Sequence, residues 1–429
     1  MDPAAARLSP LLDRLVNYER DRPNQALWDL AVTSALLARP GAAAAPRPAV
    51  QVGGSKGKGS TCAMLGALAR RAGLSVGIYT SPHVTTLLER IAVDGESVSV
   101  DELERILTGV LAAPGERAPT FFEAMTVAAA QWFAERRVDL AVYEVGLGGR
   151  LDATTALPVD LSILTTIELE HTEILGDTVA AIAREKAAIL RPGGTALTTA
   201  TGEALPQLQA RADEVGAKLL VVDRDFGAVR VRDRGDVLTG NLWLPDRLVP
   251  FELRGGALFD LSALAVAACG LETLRPGVLG KELAMARPQA PCRFEVFEQP
   301  DGGAVVLDGA HTERSMAAVA DELRRRWPGR KFDVLFGSAS GKRWRESLSS
   351  LLPLVDTLKV TAVSGTSSED PSLIAAYYHA RGIAAEQVDD VGAGLAALAK
   401  RGGIRVVVGS FYLVGEARRL LVSAAANLT

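Results

Sequence analysis

Aromatic residues make up only 5% of this 429-residue chain, and cysteine occurs three times, at Cys62, Cys269 and Cys292. An odd number of widely spaced cysteines with no CxxC pair excludes a disulfide framework and a structural zinc site, so reduced, partly buried thiols are expected. No run of about 18 apolar residues occurs, which excludes a membrane-spanning helix. The N-terminal MDPAAARLSPLLDRL has an acid at position 2 and no basic leader ahead of an apolar core. A cytoplasmic protein with no membrane partner is expected. A formal charge of −4 provides no basic field for a polyanion and argues against nucleic acid as the main partner. There is no internal repeat, and the only biased tract is the Ala/Pro-rich Arg39–Pro48. What remains is a chain with 48% hydrophobic and 23% charged residues. Its many Ala, Leu, Val and Gly residues suit helices packed on a parallel sheet. The length exceeds one ordinary core and predicts two domains.

The stretch GGSKGKGST, Gly53 to Thr61, follows the apolar run Ala49–Val52 and opens an Ala/Leu-rich run to Ala72, the order strand, glycine loop, helix. Gly54, Gly57 and Gly59 free the backbone to curl its N–H groups toward an anion, and the helix N-terminus behind them adds partial positive charge. Lys58 would reach the β- and γ-phosphates of a nucleotide, and Ser60 or Thr61 would offer a hydroxyl to Mg²⁺. The spacing is GxxGKGS rather than the common GxxxxGK[ST]. The alternative, a flexible glycine turn before a core helix, fits the Lys-Gly-Ser order less well.

Two short amphipathic helices are predicted at Leu8–Arg20 and Leu27–Leu37. Strands and helices then alternate: strand Ser75–Tyr79, a hairpin over Arg90–Val98, helices at Val100–Leu111 and Thr120–Arg136, strands at Leu140–Val145 and Leu161–Thr165. Helix Thr178–Leu190, strand Thr195–Thr199, helix Glu203–Val215 and strand Lys218–Val222 continue the series. Alternation at this spacing means βαβ units and a parallel sheet. Val229–Leu253 reads as a small β excursion on the sheet edge, followed by a helix at Leu261–Leu274. The Pro-rich Ala286–Arg293 is the best linker. Beyond it a smaller α/β domain is predicted, with strands at Val305–Leu307, Phe332–Phe336, Leu358–Val363 and Arg405–Val408 and helices at Glu313–Trp327, Pro371–His379 and Val391–Lys400. The expected domains are 1–290 and 291–429.

Ligands of open α/β sheets lie outside the carboxyl ends of the strands, where the polar clusters of this chain fall. Ser81 and His83 follow the second strand. Glu144 ends the apolar strand Leu140–Val145, where a bare carboxylate is costly unless paired or on a metal; metal ligand and salt-bridged core acid are both open. His171 follows the next strand. Ser60, Ser81, Glu144 and His171 form a mixed oxygen and nitrogen set suited to Mg²⁺ or Mn²⁺ beside a triphosphate. Lys186 lies on the apolar register of its helix, either snorkelling to the surface or buried with a lowered pKa, which would let the neutral amine form a carbamate with CO₂. Asp308 and His311 sit at a strand-to-helix turn of the second domain, and Arg293 sits in the linker; an N-capped helix and a plain linker arginine are the competing readings.

Taken in order, GGSKGKGST, YTSPH, TFFEAMT, EVGLGGRLDATT, LTTIELEHTEILGDTVAAIAREKAAI, LDGAHT and VVVGSFYLVGE resemble the folylpolyglutamate synthase/dihydrofolate synthase family, a branch of the Mur ligase superfamily, from about residue 50 to 420. The resemblance implies a P-loop-containing central parallel-sheet domain, Mur ligase-like, followed by a smaller Rossmann-like α/β domain. It implies an ATP-dependent ligase that adds L-glutamate to a folate or dihydropteroate, acting as a monomer. By the same resemblance Gly54, Gly57–Ser60 and Thr61 form the phosphate loop, with Lys58 catalytic. Ser60, Ser81, Glu144 and His171 become magnesium ligands, together with a carbamylated Lys186. Phe122, Glu123, Leu151, Asp152 and Ala153 line the pterin or folate side, Arg293 and Asp308 contact ATP, and His311 lies near the phosphates. This chain differs from the family pattern at Ser55-Lys56 (usually Thr-Asn), Glu170 (Asp), Cys292 (Gly) and Thr312 (Asn). Ala257, Leu258 and Leu261 stand where HQxxN supplies the amide that reads adenine, and Gly341-Lys342-Arg343 replaces Asp-Lys-Asp. A second expectation follows from these differences: a non-catalytic or substrate-shifted paralogue that binds nucleotide or folate.

Overall fold

The computed structural model describes residues 3–18, 29–39, 44–112, 117–300 and 302–426. It divides into two compact units, Met1–Pro288 and Gln289–Thr429. The strands of unit 1 are β1 (Ala49–Gly53), β2 (Val76–Tyr79), β3 (Ile91–Val93), β4 (Glu96–Ser97), β5 (Leu140–Glu144), β6 (Leu161–Leu164), β7 (Thr195–Thr198) and β8 (Lys218–Val221), then β9 (Gly227–Asp233), β10 (Val237–Trp243), β11 (Leu248–Arg254) and β12 (Leu283–Ala286). Its helices are α1 (Pro3–Leu12), α2 (Ala31–Ala38), α3 (Lys58–Arg71), α4 (Val100–Leu111), α5 (Phe121–Glu135), α6 (Thr172–Leu175), α7 (Val179–Ala187), α8 (Ala204–Val215) and α9 (Asp260–Leu274).

Eight strands form the main sheet in the order β4-β3-β2-β5-β1-β6-β7-β8. From β2 to β8 all neighbours pair in parallel, and the β3–β4 hairpin closes one edge antiparallel. Strands β1, β5 and β6 are buried throughout, as a parallel sheet covered on both faces requires. Side chains alternate between the faces. Val50, Val52, Leu140, Val142 and Ile163 pack with α3 and α9. Ala49, Ala141 and Tyr143 pack on the other face with α4 and α5, and Leu164 and Ala196 with α7 and α8.

Unit 2 is a six-stranded sheet in the order β13-β14-β18-β15-β16-β17, from β13 (Glu295–Glu298), β14 (Ala304–Asp308), β15 (Phe332–Phe336), β16 (Val355–Val360), β17 (Ala384–Gln387) and β18 (Ile404–Val408). All pairs are parallel except β13 on β14. Helices α10 (Glu313–Arg326), α11 (Trp344–Leu348), α12 (Pro371–His379), α13 (Val391–Ala399) and α14 (Phe411–Ala426) complete it. Among the described residues no helix is long and apolar enough to cross a membrane.

Several expectations need correction. The first helix starts at Pro3, where proline suits the first helical position and alanines follow, and ends at Leu12 rather than Arg20. The second begins at Ala31, behind Asp29, whose carboxylate accepts the N–H groups of Ala31 and Val32; residues 27 and 28 lie outside the described residues. The β excursion is a separate sheet, β12-β11-β10-β9, packed against α9 rather than on the edge of the main sheet. Strand β16 lies three residues earlier than the apolar pattern suggested, because its ladder with β15 and β17 ends at Val360. All three cysteines are fully buried, where partial burial was expected, and none is in a disulfide.

Candidate active site

At the carboxyl end of β1 the chain turns at Gly54 with φ +132°, and a Cβ there would fall 2.0 Å from Thr165 Oγ1, so only glycine fits. Gly57, at φ +91°, caps α3 without a side-chain hydrogen bond, and the first turn of α3 holds no acid. A helix start with free N–H groups and a positive dipole end is an anion site. Ser55 and Lys56, the two positions that differ from the family loop, are fastened to the segment after β6. Ser55 N donates to Thr166 O at 2.7 Å, Glu168 N to Ser55 Oγ at 3.1 Å, and Thr166 Oγ1 to Lys56 O at 3.1 Å.

Two ammonium groups converge on one carbonyl: Lys58 Nζ donates to Gly54 O at 2.9 Å and Lys186 Nζ to the same oxygen at 3.2 Å. Lys186 is only 2% exposed, and its Nζ lies 3.0 Å from Glu170 Oε1. It does not snorkel, and the surface alternative is excluded. Burial pulls its pKa down, Glu170 opposes that, and Lys58 adds to it. Burial alone would raise the pKa of Glu170, but the charge of Lys186, then Lys58, the hydrogen bond from Lys186, and Lys56 outweigh it and hold the carboxyl down at about 2. Glu170 was missed as a site residue. The signal was available, since it is the acid flanking His171 in a chain with one more loop lysine than the family pattern.

Glu144 ends β5 as a buried carboxylate that accepts from Ser81 N at 3.2 Å, so the chain after β2 and the end of β5 are brought together. His171 adopts a left-handed backbone as the N-cap of α6. Its ring is half exposed, with Nδ1 4.0 Å from Glu173. Among the described residues no three His, Cys, Asp or Glu side chains cluster as a metal centre. Glu144 and the hydroxyls of Ser60 and Ser81 are hard oxygen donors, of the kind magnesium and manganese take.

The proposed folate-side acids have local partners. Glu123 closes a capping box with Thr120 and pairs with Arg117 at 2.8 Å. Asp152 accepts from the N–H groups of Gly146, Leu147 and Thr154 and from the Thr154 hydroxyl. Its burial raises its pKa, against those hydrogen bonds. Phe122 lies against Gly146 and 5.6 Å from the Tyr79 ring. Leu151 is partly buried and Ala153 buried beside Asp152. In unit 2, Asp308 accepts from Phe294 N at 2.8 Å and Ala310 N at 2.7 Å. His311 Nδ1 lies 2.8 Å from Gly309 O, and Arg293 lies over the Phe411 ring. Thr312 and Ser315 cap α10.

Two family models match: "Mur ligase middle domain" over residues 52–236 and "Mur ligase, glutamate ligase domain" over residues 292–411. A curated Bacillus subtilis dihydrofolate synthase/folylpolyglutamate synthase is 28% identical, over 90% of this chain and 93% of that one. The Yersinia pestis bifunctional folylpolyglutamate synthase/dihydrofolate synthase, solved with AMPPNP and Mn, superposes with a TM-score of 0.80 at 26% identity, covering 98% of each chain. The chain belongs to the folylpolyglutamate synthase/dihydrofolate synthase family of Mur ligases. A Halobacterium salinarum protein named as a probable bifunctional folylpolyglutamate synthase/dihydropteroate synthase is 34% identical over 86% of this chain. The chain spans about half the length of two of the curated relatives it matches. The middle-domain match lies within unit 1 and carries the glycine loop, Glu144 and Lys186; the ligase-domain match lies within unit 2 and carries Arg293, Asp308 and His311.

Proposed function

We propose that this chain is an ATP-dependent amide ligase that adds L-glutamate to a carboxylate of a folate or of dihydropteroate. The observation that carries the reading is the uncapped α3 start with Lys58 and Lys186 converging on Gly54 O, beside the buried Glu144. Supporting it, one bifunctional folylpolyglutamate synthase/dihydrofolate synthase was solved with Mn, AMPPNP and L-glutamate bound. The N–H groups of Gly57–Ser60 would hold the β- and γ-phosphates, and Lys58 would turn from Gly54 O to the γ-phosphate. An acceptor carboxylate oxygen takes the γ-phosphoryl and ADP leaves. The glutamate amine then attacks the acyl carbon, loses a proton, and releases phosphate. Positioning and charge neutralisation supply the catalysis. Ser60, Ser81, Glu144 and His171 would hold Mg²⁺ or Mn²⁺, which when bound offsets charge on the transferred group. Phe122 with Leu151–Ala153 would face the pterin, while Arg293, Asp308 and His311 would serve ATP from the second domain.

Lys186 is read as the carbamylated lysine. Burial lowers its pKa, and the neutral amine can add to CO₂ with loss of a proton. The product is an anion beside Glu170, so Lys58 and Lys56 would have to balance both. A carbamate carbon resonance after ¹³C-bicarbonate labelling, absent from Lys186→Arg, tests this. The reading also places the protein as a cytoplasmic monomer of two domains, 1–290 and 291–429, without nucleic acid; light scattering and limited proteolysis around the linker check mass and boundary.

A coupled ADP-release assay tests the main proposal. ADP must appear with dihydropteroate or tetrahydrofolate only when L-glutamate is present. Nucleotide or folate binding without such turnover would identify a non-catalytic paralogue instead.

A further inference from the structure

A cation that the ligase reading leaves unused sits just beyond α7. Arg191 is partly buried, its Nε is enclosed without a hydrogen-bond partner, and among the described residues its guanidinium has no carboxylate at ion-pair distance. Burial pulls its pKa down. Its Nη2 lies within hydrogen-bond distance of three oxygens, Thr155 O at 2.8 Å and Gln51 Oε1 and Leu157 O each at 3.2 Å. A guanidinium only donates, so it fixes the Gln51 amide with the oxygen toward Arg191 and the nitrogen toward the short helical turn Ala153–Ala156. There Gln51 Nε2 donates to Thr154 Oγ1 at 2.9 Å and to Thr155 Oγ1 at 2.8 Å. Each hydroxyl donates onward, Thr154 to Asp152 Oδ1 and Thr155 to Gly149 O at 2.7 Å. Asp152 in turn accepts from the N–H groups of Gly146 and Leu147. Gln51, Thr154 and Asp152 are all buried, where a hydrogen bond left unmade is costly. The same segment is pressed on α7, since a Cβ at Gly149 would fall 2.9 Å from Glu185 O and 3.0 Å from Lys186 Cα.

We infer that Arg191 is a positioning residue for the acceptor: through Gln51 and Thr154 it orients the Asp152 carboxylate and holds the segment 146–157, which carries Leu151 and Ala153. The inference rests on the ligase reading above, which sets Leu151–Ala153 against the pterin. The path has a direction. Donors run from the cation through an amide and a hydroxyl to the carboxylate, so two charges that do not meet polarise the bonds between them. Gln51 stands on β1 just ahead of the glycine loop, but its side-chain bonds among the described residues go to Thr154, Thr155 and Arg191 and none goes to that loop. The effect of Arg191 therefore falls on the acceptor and not on ATP.

The test compares Arg191→Met and Gln51→Glu with wild type in steady-state assays and in equilibrium binding of dihydropteroate and AMPPNP to the full chain. Arg191→Met keeps most of the side-chain length but donates nothing. Its KM for the acceptor should rise about tenfold, as for one lost hydrogen bond, while KM for ATP stays within about twofold. Gln51→Glu gives Arg191 a carboxylate partner, so the melting temperature should hold. The new carboxylate cannot donate, however, and it draws the Thr154 and Thr155 hydroxyls away from Asp152 and Gly149. The same rise in acceptor KM is expected. A wild-type acceptor KM in Gln51→Glu overturns the inference, and that variant alone decides if Arg191→Met does not fold. Equal rises for acceptor and ATP overturn it too, as does a lowered melting temperature with both KM values unmoved, the result for an arginine that only supports the fold. If the wild type turns over no acceptor, the ligase reading fails, and the variants are judged on the same terms by Kd for dihydropteroate against Kd for AMPPNP. A wild type that binds no dihydropteroate overturns the inference as well.

Discussion

The two units each place polar side chains at the carboxyl end of a parallel sheet, and they treat them in opposite ways. In unit 1 the charges are buried and set against one another: Lys186 and Glu170 pair at 3.0 Å, Lys58 shares the Gly54 carbonyl with Lys186, and Glu144 ends a strand with no exposed residue. In unit 2, Asp308 and His311 are bound to their own turn, and Thr312 caps the helix that follows. Burying charge costs folding free energy, whereas a capped turn is stabilising. Charge retained at such a cost is the stronger indication of chemistry. The difference teaches that similar sequence features, an acid and a histidine after a strand, can sit beside buried, mutually opposed charges in one unit and be held by their own turn in the other.

The acid limb of stability gives the largest test of this contrast. With Lys186 as the uncarbamylated ammonium, Glu170 sits well below the ordinary carboxyl value of 4.5, at about 2 in the folded protein. A depressed folded pKa contributes stability that is complete above the unfolded value and is lost as pH falls from about 4.5 through about 2. The contribution is up to about 3 kcal/mol. Glu170→Gln should remove that part of the acid unfolding curve and flatten it between pH 4.5 and 2, as followed by circular dichroism. An acid limb unchanged in the variant would mean that the pair contributes no charge-dependent stability.

Glu144→Gln is next. It keeps size and one acceptor but removes the negative charge, so turnover should fall by about two orders of magnitude while the melting temperature stays close to wild type. If turnover survives while the fold loosens, Glu144 is a core structural acid and the contrast between the units weakens. The reciprocal experiment is Asp308→Ala, which leaves the N–H groups of Phe294 and Ala310 without their acceptor. A loss of about 1–2 kcal/mol in denaturant unfolding is expected. Abolished turnover at undiminished stability would break the comparison from the other side, by showing that Asp308 serves ATP without holding its own turn.

Much of unit 1 was legible because its signals are local. Gly53–Thr61 declares strand, loop and helix within nine residues, and Glu144 stands out as an acid in an apolar strand. The capping box of Thr120 and Glu123 was equally local, and it was obscured by the weight given to a ligand role. What stayed hidden depends on distance along the chain. The contact of Gly54 with Thr165 and the clasp of Ser55 and Lys56 on 166–168 cross more than a hundred residues. The pairing of β12 with β11 and of β13 with β14 was missed for a related reason. These are short strands fixed by neighbours rather than by their own alternation.

The smallest expected effect concerns the base of the nucleotide, where this chain departs most from the family pattern. Leu258 and Phe259 precede α9 with 49% and 39% of their surfaces exposed, and neither side chain can hydrogen-bond a purine edge. Asp260 could, but its carboxylate is taken by Arg287 at 2.6 Å and by Ala257 N at 2.8 Å. Arg287 in turn lies over the Phe259 ring. The start of α9 therefore presents apolar surface and a closed ion pair where the family pattern has an amide. A site that makes no polar contact with the base has little means of rejecting a wrong one, and Gly57–Ser60 would hold phosphates without sensing it. GTP should compete with ATP within roughly tenfold, because one missing hydrogen bond is worth about 1–1.5 kcal/mol. The measurement is kcat/KM for both nucleotides. A preference for ATP beyond about a thousandfold exceeds what one such contact supplies, and would mean that backbone groups read adenine in place of the lost amide.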